Sequence, residues 1–215
     1  EMTVAADPLA RWRARAARRG VAVLAATLVL SCLVLADILT GPSGLSLAEI
    51  WQLVLAGPQG PDRAGASILF QIRLPQTAMA LIVGACLGLA GLLMQTILAN
   101  PLASPFTLGF SAAAGFGAAL AILFGSALAL PVPAHFLTPI CAFLATLAAT
   151  ALVWLIGRMK GTQPEILVLA GIAVMFFFQS LLSLLQFMAS PEVLQQIVFW
   201  LFGSLLKANW TTVQI

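Results

Sequence analysis

The sequence predicts an all-α, polytopic membrane helical bundle of about five spans with short helices at its outer face, and three observations predict it. Of the 215 residues, 61% are hydrophobic and only 8% are charged, where a soluble domain carries about 25% charged residues. No Asp, Glu, Lys or Arg occurs in the 84 residues from Leu74 to Gly157, although about 20 residues suffice for one crossing. Apolar runs of crossing length also recur along the chain, separated by proline, glycine and serine turn signals. Seven acids and ten bases cannot clothe a water-facing surface. Soluble enzymes, disordered chains and disulfide scaffolds are therefore excluded.

Residues 1–20 read as a basic cytoplasmic tail, because Arg11, Arg13, Arg15, Arg18 and Arg19 supply half of all the bases. The first span follows at 21–40, with Val21–Ile38 interrupted only by Asp37. This run is longer than the apolar core of a secretory signal, and no A-x-A cleavage site follows it. An outer, periplasmic loop covers 41–72. In it, Ser46-Leu-Ala-Glu49 forms a capping box, so Leu47–Ala56 is expected to be a short helix stopped by Gly57-Pro58. A four-span bundle is expected over 73–190. Its first three spans lie near 74–99, 106–130 and 134–157, divided by the Asn100-Pro101-Leu-Ala-Ser104-Pro105 and Pro131-Val-Pro133 turns. Ser104-Pro105 and Ser190-Pro191-Glu192 each offer a hydroxyl at the N-cap and a proline at the first helical position. Thr162-Gln-Pro164-Glu165 opens the last span, Ile166–Ala189, in the same way, with Glu165 against the positive helix end. Residues 191–215 are expected to hold an outer-face helix, Glu192–Phe202, ended by Gly203, and the start of a sixth span.

Short cytoplasmic loops retain Lys and Arg. A cytoplasmic N-terminus places the five early arginines, Arg158 and Lys160 inside, and leaves Arg63, Arg73 and Lys207 outside. Trp12, Trp51, Trp154, Trp200 and Trp210 all fall near span ends or in loops, as an interfacial belt requires. The net charge of +3 does not point to nucleic acid, since the bases are few and clustered.

Small residues recur at helix-packing intervals: Gly84 and Gly88 with Gly91 beside them, then Ala113, Gly117 and Gly115, Ala119. In lipid, such spacing lets backbones approach closely. Gln179, Ser183 and Gln186 share one face of the fifth span, which either lines a water-accessible pathway or bonds neighbouring helices. Spans two to four hold no Asp, Glu, Lys or Arg, and Asp37 and Glu165 lie near span ends, which argues against an ion-coupled carrier. His135 stands alone at an outer turn, and Cys32, Cys86 and Cys141 have no metal-ligand spacing, so they read as packing residues and no metal site is expected. No catalytic motif is present, so an enzyme is not expected. No P-loop occurs either; active transport by this chain draws its energy from a partner.

Several blocks resemble one known family. Arg73-Leu74-Pro75, Gly84-Ala85-Cys86-Leu87-Gly88-Leu89-Ala90-Gly91, Gln95, Asn100-Pro101-Leu102-Ala103, Pro105 and Leu108-Gly109-Phe110-Ser111 resemble the FecCD permease subunits of type II ABC importers, which carry ferric siderophores, haem and cobalamin. Leu169-Ala170-Gly171-Ile172-Ala173 and Phe199-Trp200-Leu201-Phe202-Gly203-Ser204-Leu205 look like two further blocks of that family. The resemblance implies a homodimeric inner-membrane permease, typically of ten spans per subunit. It further implies two cytoplasmic ATPase subunits, which bind the ATP and Mg, and a periplasmic substrate-binding protein; this chain itself would hold no cofactor. It puts docking of the binding protein's acidic residues on Arg73 and, less directly, Arg63, against a plain reading of Arg73 as an interfacial anchor. A second family arginine is replaced here by Gln76. The resemblance also makes Gln179, Ser183 and Gln186 pathway candidates. The family's main coupling helices follow the sixth span, so the chain is expected to be the N-terminal half of a longer subunit. An ion-coupled secondary carrier or channel remains the alternative, and a structural membrane scaffold a third reading.

Overall fold

The computed structural model describes residues 8–40, 44, 46–125 and 133–214. The side chains of Arg11 and His135, the turn residues Pro131 and Val132, and Glu1, Met2 and Ile215 lie outside the described residues. Among the described residues every regular element is a helix. Four stretches are long and apolar enough to cross a membrane: Trp12–Leu39, Arg63–Ile97, Phe136–Lys160 and Pro164–Met188. The chain divides into two compact units, one built from residues up to Leu81 together with Leu205–Ile215, the other from Ile82–Ser204.

In the first unit, α1 runs unbroken over Pro8–Leu39. The basic stretch expected to be a separate tail is thus the opening turns of the spanning helix, since Pro8 suits a helix start and no glycine or proline intervenes before Gly20. α1 is exposed over almost its whole length, and only Ile38 and Leu39 pack on the unit's core of Ile50, Leu53, Ala66 and Leu69. Its two hydroxyls turn inward: Thr27 donates to the Val23 carbonyl and Ser31 to the Thr27 carbonyl, both at 2.9 Å. Its last turn is fastened by polar contacts, the Thr77 hydroxyl donating to Asp37 Oδ2 at 2.6 Å and Arg73 Nη1 to the Thr40 carbonyl at 3.3 Å.

α2 forms over Leu47–Ala56 behind the expected capping box. The Ser46 N–H donates to Glu49 Oε2 at 2.7 Å, and the Ser46 hydroxyl accepts the Glu49 N–H at 3.3 Å. Gly57, at φ +74°, ends the helix. The Ser46 backbone amide, and then its hydroxyl, hold the Glu49 carboxyl below its ordinary value of 4.5. A depressed acid stabilises the fold above its unfolded value and loses that contribution as pH falls through its folded one. Acidification below about pH 4.5 is therefore expected to fray the first turn of α2. Amide exchange at Ile50 should accelerate there in the wild type but be independent of this titration in Glu49→Gln.

After α3 (Arg63–Ser67) the helix widens into a π-type turn over Ile68–Arg73 before α4 (Leu74–Ile97). Pro75 explains the widening, because it has no N–H and its ring crowds the preceding turn. The Leu74 N–H reaches back five residues to the Leu69 carbonyl. The Phe70 carbonyl then receives no amide from Leu74 or from Pro75. The Trp210 indole N–H fills that vacancy at 2.7 Å. Trp210 opens the short α9 (Trp210–Val213), and Gln76 Nε2 ties the same C-terminal segment at the Leu206 carbonyl, 3.3 Å away.

The second unit is arranged around α5 (Phe110–Phe124), which packs against α6 (Ala134–Lys160), α7 (Pro164–Met188) and α8 (Pro191–Phe202). α5 admits three neighbours because its buried positions are all alanine or glycine: Ala112, Ala113, Gly115, Gly117, Ala118, Ala119 and Ala121. Small residues of this kind replace the hydrophobic drive that lipid does not supply. Larger side chains on the partners, among them Val153, Val174, Phe178 and Leu182, complete the interior.

Two expected caps are corrected. Ser104-Pro105 does not open α5; the chain makes successive turns there, with Thr107 N–H and hydroxyl both donating to the Ser104 carbonyl, and the helix starts only after Gly109 at φ +75°. Those turns bury Leu108 beside Leu98 and Ala103, which a helix beginning at Pro105 would not do. α7 starts on Gln163 with no side-chain cap, Pro164 and Glu165 occupying its first turn. At α8 the expectation holds: Ser190 accepts the Val193 N–H at 3.4 Å, Pro191 leads the helix and Gly203 ends it.

Candidate functional site

The buried face of α7 comprises Ala170, Gly171, Val174, Phe178, Leu182 and Leu185, spaced at helical intervals against α5 and its neighbours. Gln179 and Ser183 are exposed on the flank adjoining that face, and Gln186 is half-buried at its margin. Phe176 and Phe187 flank them, 62% and 87% exposed. Hydroxyls elsewhere on exposed helix faces satisfy themselves: Thr150 donates to the Thr146 carbonyl and Ser180 to the Phe176 carbonyl, each at 2.8 Å. Gln179, Ser183 and Gln186 make no hydrogen bond among the described residues. Two carboxamides and a hydroxyl thus stand on an apolar surface with donors and acceptors unused. That arrangement can offer hydrogen bonds to a polar solute, to water or to another helix without imposing charge.

The seat of α7 is set by close backbone approach. A Cβ built on Gly171 would lie 2.8 Å from Leu108 Cα, and one on Gly109 would lie 2.6 Å from Met175 Cα. Two blocks that sequence reading treated as separate, Leu108-Gly109 and Ala170-Gly171, are therefore one contact. The turn before them is held by Gln95, whose Nε2 donates to the Pro101 carbonyl at 3.0 Å, and by Asn100, whose Oδ1 accepts the Leu102 N–H at 2.9 Å. Spacing alone had given Gln95 no role, although a polar side chain one turn before an Asn-Pro turn is a detectable signal.

The small residues separate into two groups. Gly117 lies directly on the Cys141 carbonyl of α6, and Gly115 faces Leu201 and Leu182. Gly84 and Gly88 have nothing within 4 Å beyond their own helix backbone, and Gly91 meets only Pro105. Cys32 and Cys86 are exposed and Cys141 half-buried, all with free thiols.

Of the two arginines expected at the outer face, Arg63 is exposed at the first position of α3. Arg73 is half-buried, with Nη1 on the Thr40 carbonyl at the C-terminal end of α1 and Nη2 buried without a partner. A guanidinium there also answers the negative end of the α1 dipole. Among the described residues no group of three or more His, Cys, Asp or Glu side chains is placed to hold a metal.

A model of the FecCD transport family matches residues 27–215. The chain is 36% identical to the molybdate import system permease protein MolB of Haemophilus influenzae, over 79% of this chain and 50% of that one. It is 34% identical to the ferric enterobactin transport system permease protein FepD of Escherichia coli, over 93% of this chain and 58% of that one. A solved structure, assigned provisionally as a metal-chelate type ABC transporter in an inward-facing conformation, superposes with a TM-score of 0.71 at 33% identity, over 87% of this chain and 55% of that one. The chain spans about half the length of the curated relatives it matches.

Proposed function

The chain belongs to the FecCD transport family, and on that premise we propose that it is a permease subunit of an ABC importer that moves a metal chelate, foremost a ferric siderophore, by alternating access. Its place is the bacterial inner membrane, with the arginine-bearing N-terminus in the cytoplasm. It works as a pair with a second permease copy, driven by cytoplasmic ATPase subunits that bind ATP and Mg. A periplasmic binding protein delivers the substrate, and its acidic residues meet Arg63, which is exposed, more readily than Arg73, whose guanidinium already engages Thr40.

The observation that carries this reading is the unsatisfied polar stripe of Gln179, Ser183 and Gln186 on an exposed apolar face. A neutral, hydrogen-bonding lining suits a bulky chelate whose metal is already wrapped by its own ligands. A bare cation would demand carboxylate, imidazole or thiolate donors instead. Haem or cobalamin fits the same chemistry, and the molybdate-transporting relative makes that oxyanion the competitor to exclude.

The test is uptake by the whole complex in proteoliposomes with its ATPase and binding protein. ATP-dependent entry of a ferric siderophore is expected, and Gln179→Leu/Ser183→Ala should reduce it several-fold while the complex still assembles. Wild-type uptake in that variant would remove the stripe from the pathway. Uptake of molybdate but not of chelates would replace the substrate, and ATP-independent uptake that follows an ion gradient would replace the importer by a carrier.

A further inference from the structure

We propose that α2 is an interfacial helix, with Leu47, Trp51, Val54 and Leu55 sunk in the boundary between the headgroups and acyl chains of the surrounding lipid. Its partner is thus the bilayer itself, met along one face of a short helix outside the spans.

The surface of α2 divides into three sectors. Ile50 and Leu53 are buried in the core that Ala66 and Leu69 complete. At about 100° per residue, Leu47, Trp51, Val54 and Leu55 share an adjoining arc of about 100°. All four are at least half exposed, Leu55 at 70% and Trp51 at 63%. Glu49 and Gln52 fall on the remaining side, exposed together with Ala48 and Ala56. The fold therefore uses only one edge of a wide apolar surface, and the pattern beyond that edge is that of a helix lying at a membrane surface. The single charge of the helix, Glu49, is spent on its own cap, since Oε2 accepts both the Ser46 N–H and the Ser46 hydroxyl at 2.7 Å. The Trp51 indole N–H meets no acceptor among the described residues, in contrast to that of Trp210. An exposed ring with an unused N–H suits a depth where one end is apolar and the other wet.

That depth follows from α1. Val21 to Leu39 rises about 28 Å at 1.5 Å per residue, close to the roughly 30 Å of hydrocarbon in a bilayer. A spanning α1 therefore ends at the edge of the hydrocarbon. Ile38 and Leu39, its last residues, pack on the cluster that contains Ile50 and Leu53, which sets α2 at that same edge. The spanning window of α1 is 0% buried, so the helix on which α2 rests is itself bare to lipid. A water-soluble partner would leave the arc in water whenever it was away, whereas lipid is always present at this depth. No Lys or Arg occurs between Leu47 and Ala56, so the contact is with the acyl boundary and not with a charged headgroup.

The experiment places one nitroxide at a time on the full chain in phosphatidylcholine liposomes, at Leu55→Cys or Gln52→Cys, in a background of Cys32→Ala, Cys86→Ala and Cys141→Ala. Power-saturation spectroscopy then compares collisions with oxygen, which concentrates in lipid, and with a water-soluble nickel chelate. The oxygen-to-nickel ratio should be several-fold higher at 55 than at 52. The wild type supplies a second reading that needs no substitution. A phosphatidylcholine with a diazirine high on its acyl chain should, on photolysis, label Leu47, Trp51 and Leu55 several-fold above Gln52 and Ala56. A label at 55 reached by nickel in preference to oxygen would put the arc in water, open to a soluble partner. A label at 55 shielded from both reagents would put it against protein. Either result overturns the proposal, as do lipid adducts that are absent from the arc or spread evenly around α2.

Discussion

Gly117→Val is expected to be the most damaging single change in the second unit, lowering stability by about 3 kcal/mol. The cause is local. A Cβ at this position overlaps the Cys141 carbonyl oxygen and stands 2.7 Å from its carbon and 2.8 Å from the Ala145 Cβ. These are backbone atoms and the first carbon of a side chain, so no rotamer change relieves the contact. α6 would have to move away bodily from α5, separating Ala149 and Val153 from Ala112 and Ala113 in the same cluster. Thermal unfolding of the purified chain in detergent measures the loss. Gly88→Val is the control, because nothing beyond its own helix lies within 4 Å of a Cβ there. It should melt with the wild type. Equal melting of Gly117→Val and wild type would show that α5 and α6 are not packed through this glycine.

Gly109→Ala is expected to cost a similar amount for two separable reasons. The residue sits at φ +75°, where a non-glycine residue costs about 1–2 kcal/mol. The added carbon would also meet the Met175 backbone at 2.6–2.7 Å. Asparagine tolerates the left-handed conformation but still carries a Cβ. Gly109→Asn should therefore be nearly as destabilised as Gly109→Ala if the contact with α7 dominates. Recovery of wild-type melting with asparagine would leave backbone conformation as the sole reason for glycine. Limited proteolysis between Ala99 and Gly109 offers a second readout, since loss of this contact frees the turn that Gln95 and Asn100 otherwise hold.

What sequence could and could not foresee follows from the range of the forces involved. The α2 capping box, the Ser190 cap and the glycine stops at Gly57 and Gly203 are settled by neighbours within four residues, and pattern alone places them correctly. The start of α5 was misplaced because Ser104-Pro105 is an adequate local cap. Burial of Leu108 against Leu98 and Ala103 overrides it, and that is decided by residues distant along the chain. The wide turn before Leu74 escaped for a related reason. Pro75 at the start of an apolar run reads as a helix beginning, whereas the helix enters it from Arg63 and absorbs the missing N–H. The polar stripe on α7 was visible from spacing, because three positions on one helix need no tertiary knowledge. That its groups are unsatisfied was not visible, since satisfaction depends on what the neighbours offer. The glycine pairs looked alike in sequence, yet Gly115 and Gly117 face helices of this chain and Gly84 and Gly88 do not.

The wide turn at Ile68–Arg73 also sets the phase of its helix. An α-helix advances about 100° per residue, so one additional residue would swing everything upstream to a different side. A five-residue return such as that from Leu74 to Leu69 takes up that residue in a local bulge. Gly65 and Ala66 can then be buried in the same core as Leu69, and Pro75 and Thr77 remain buried beyond the bulge. The segment behaves as a vernier between two stretches of one rod. Trp210, by donating to the Phe70 carbonyl within the bulge, holds that vernier from 140 residues further along the chain.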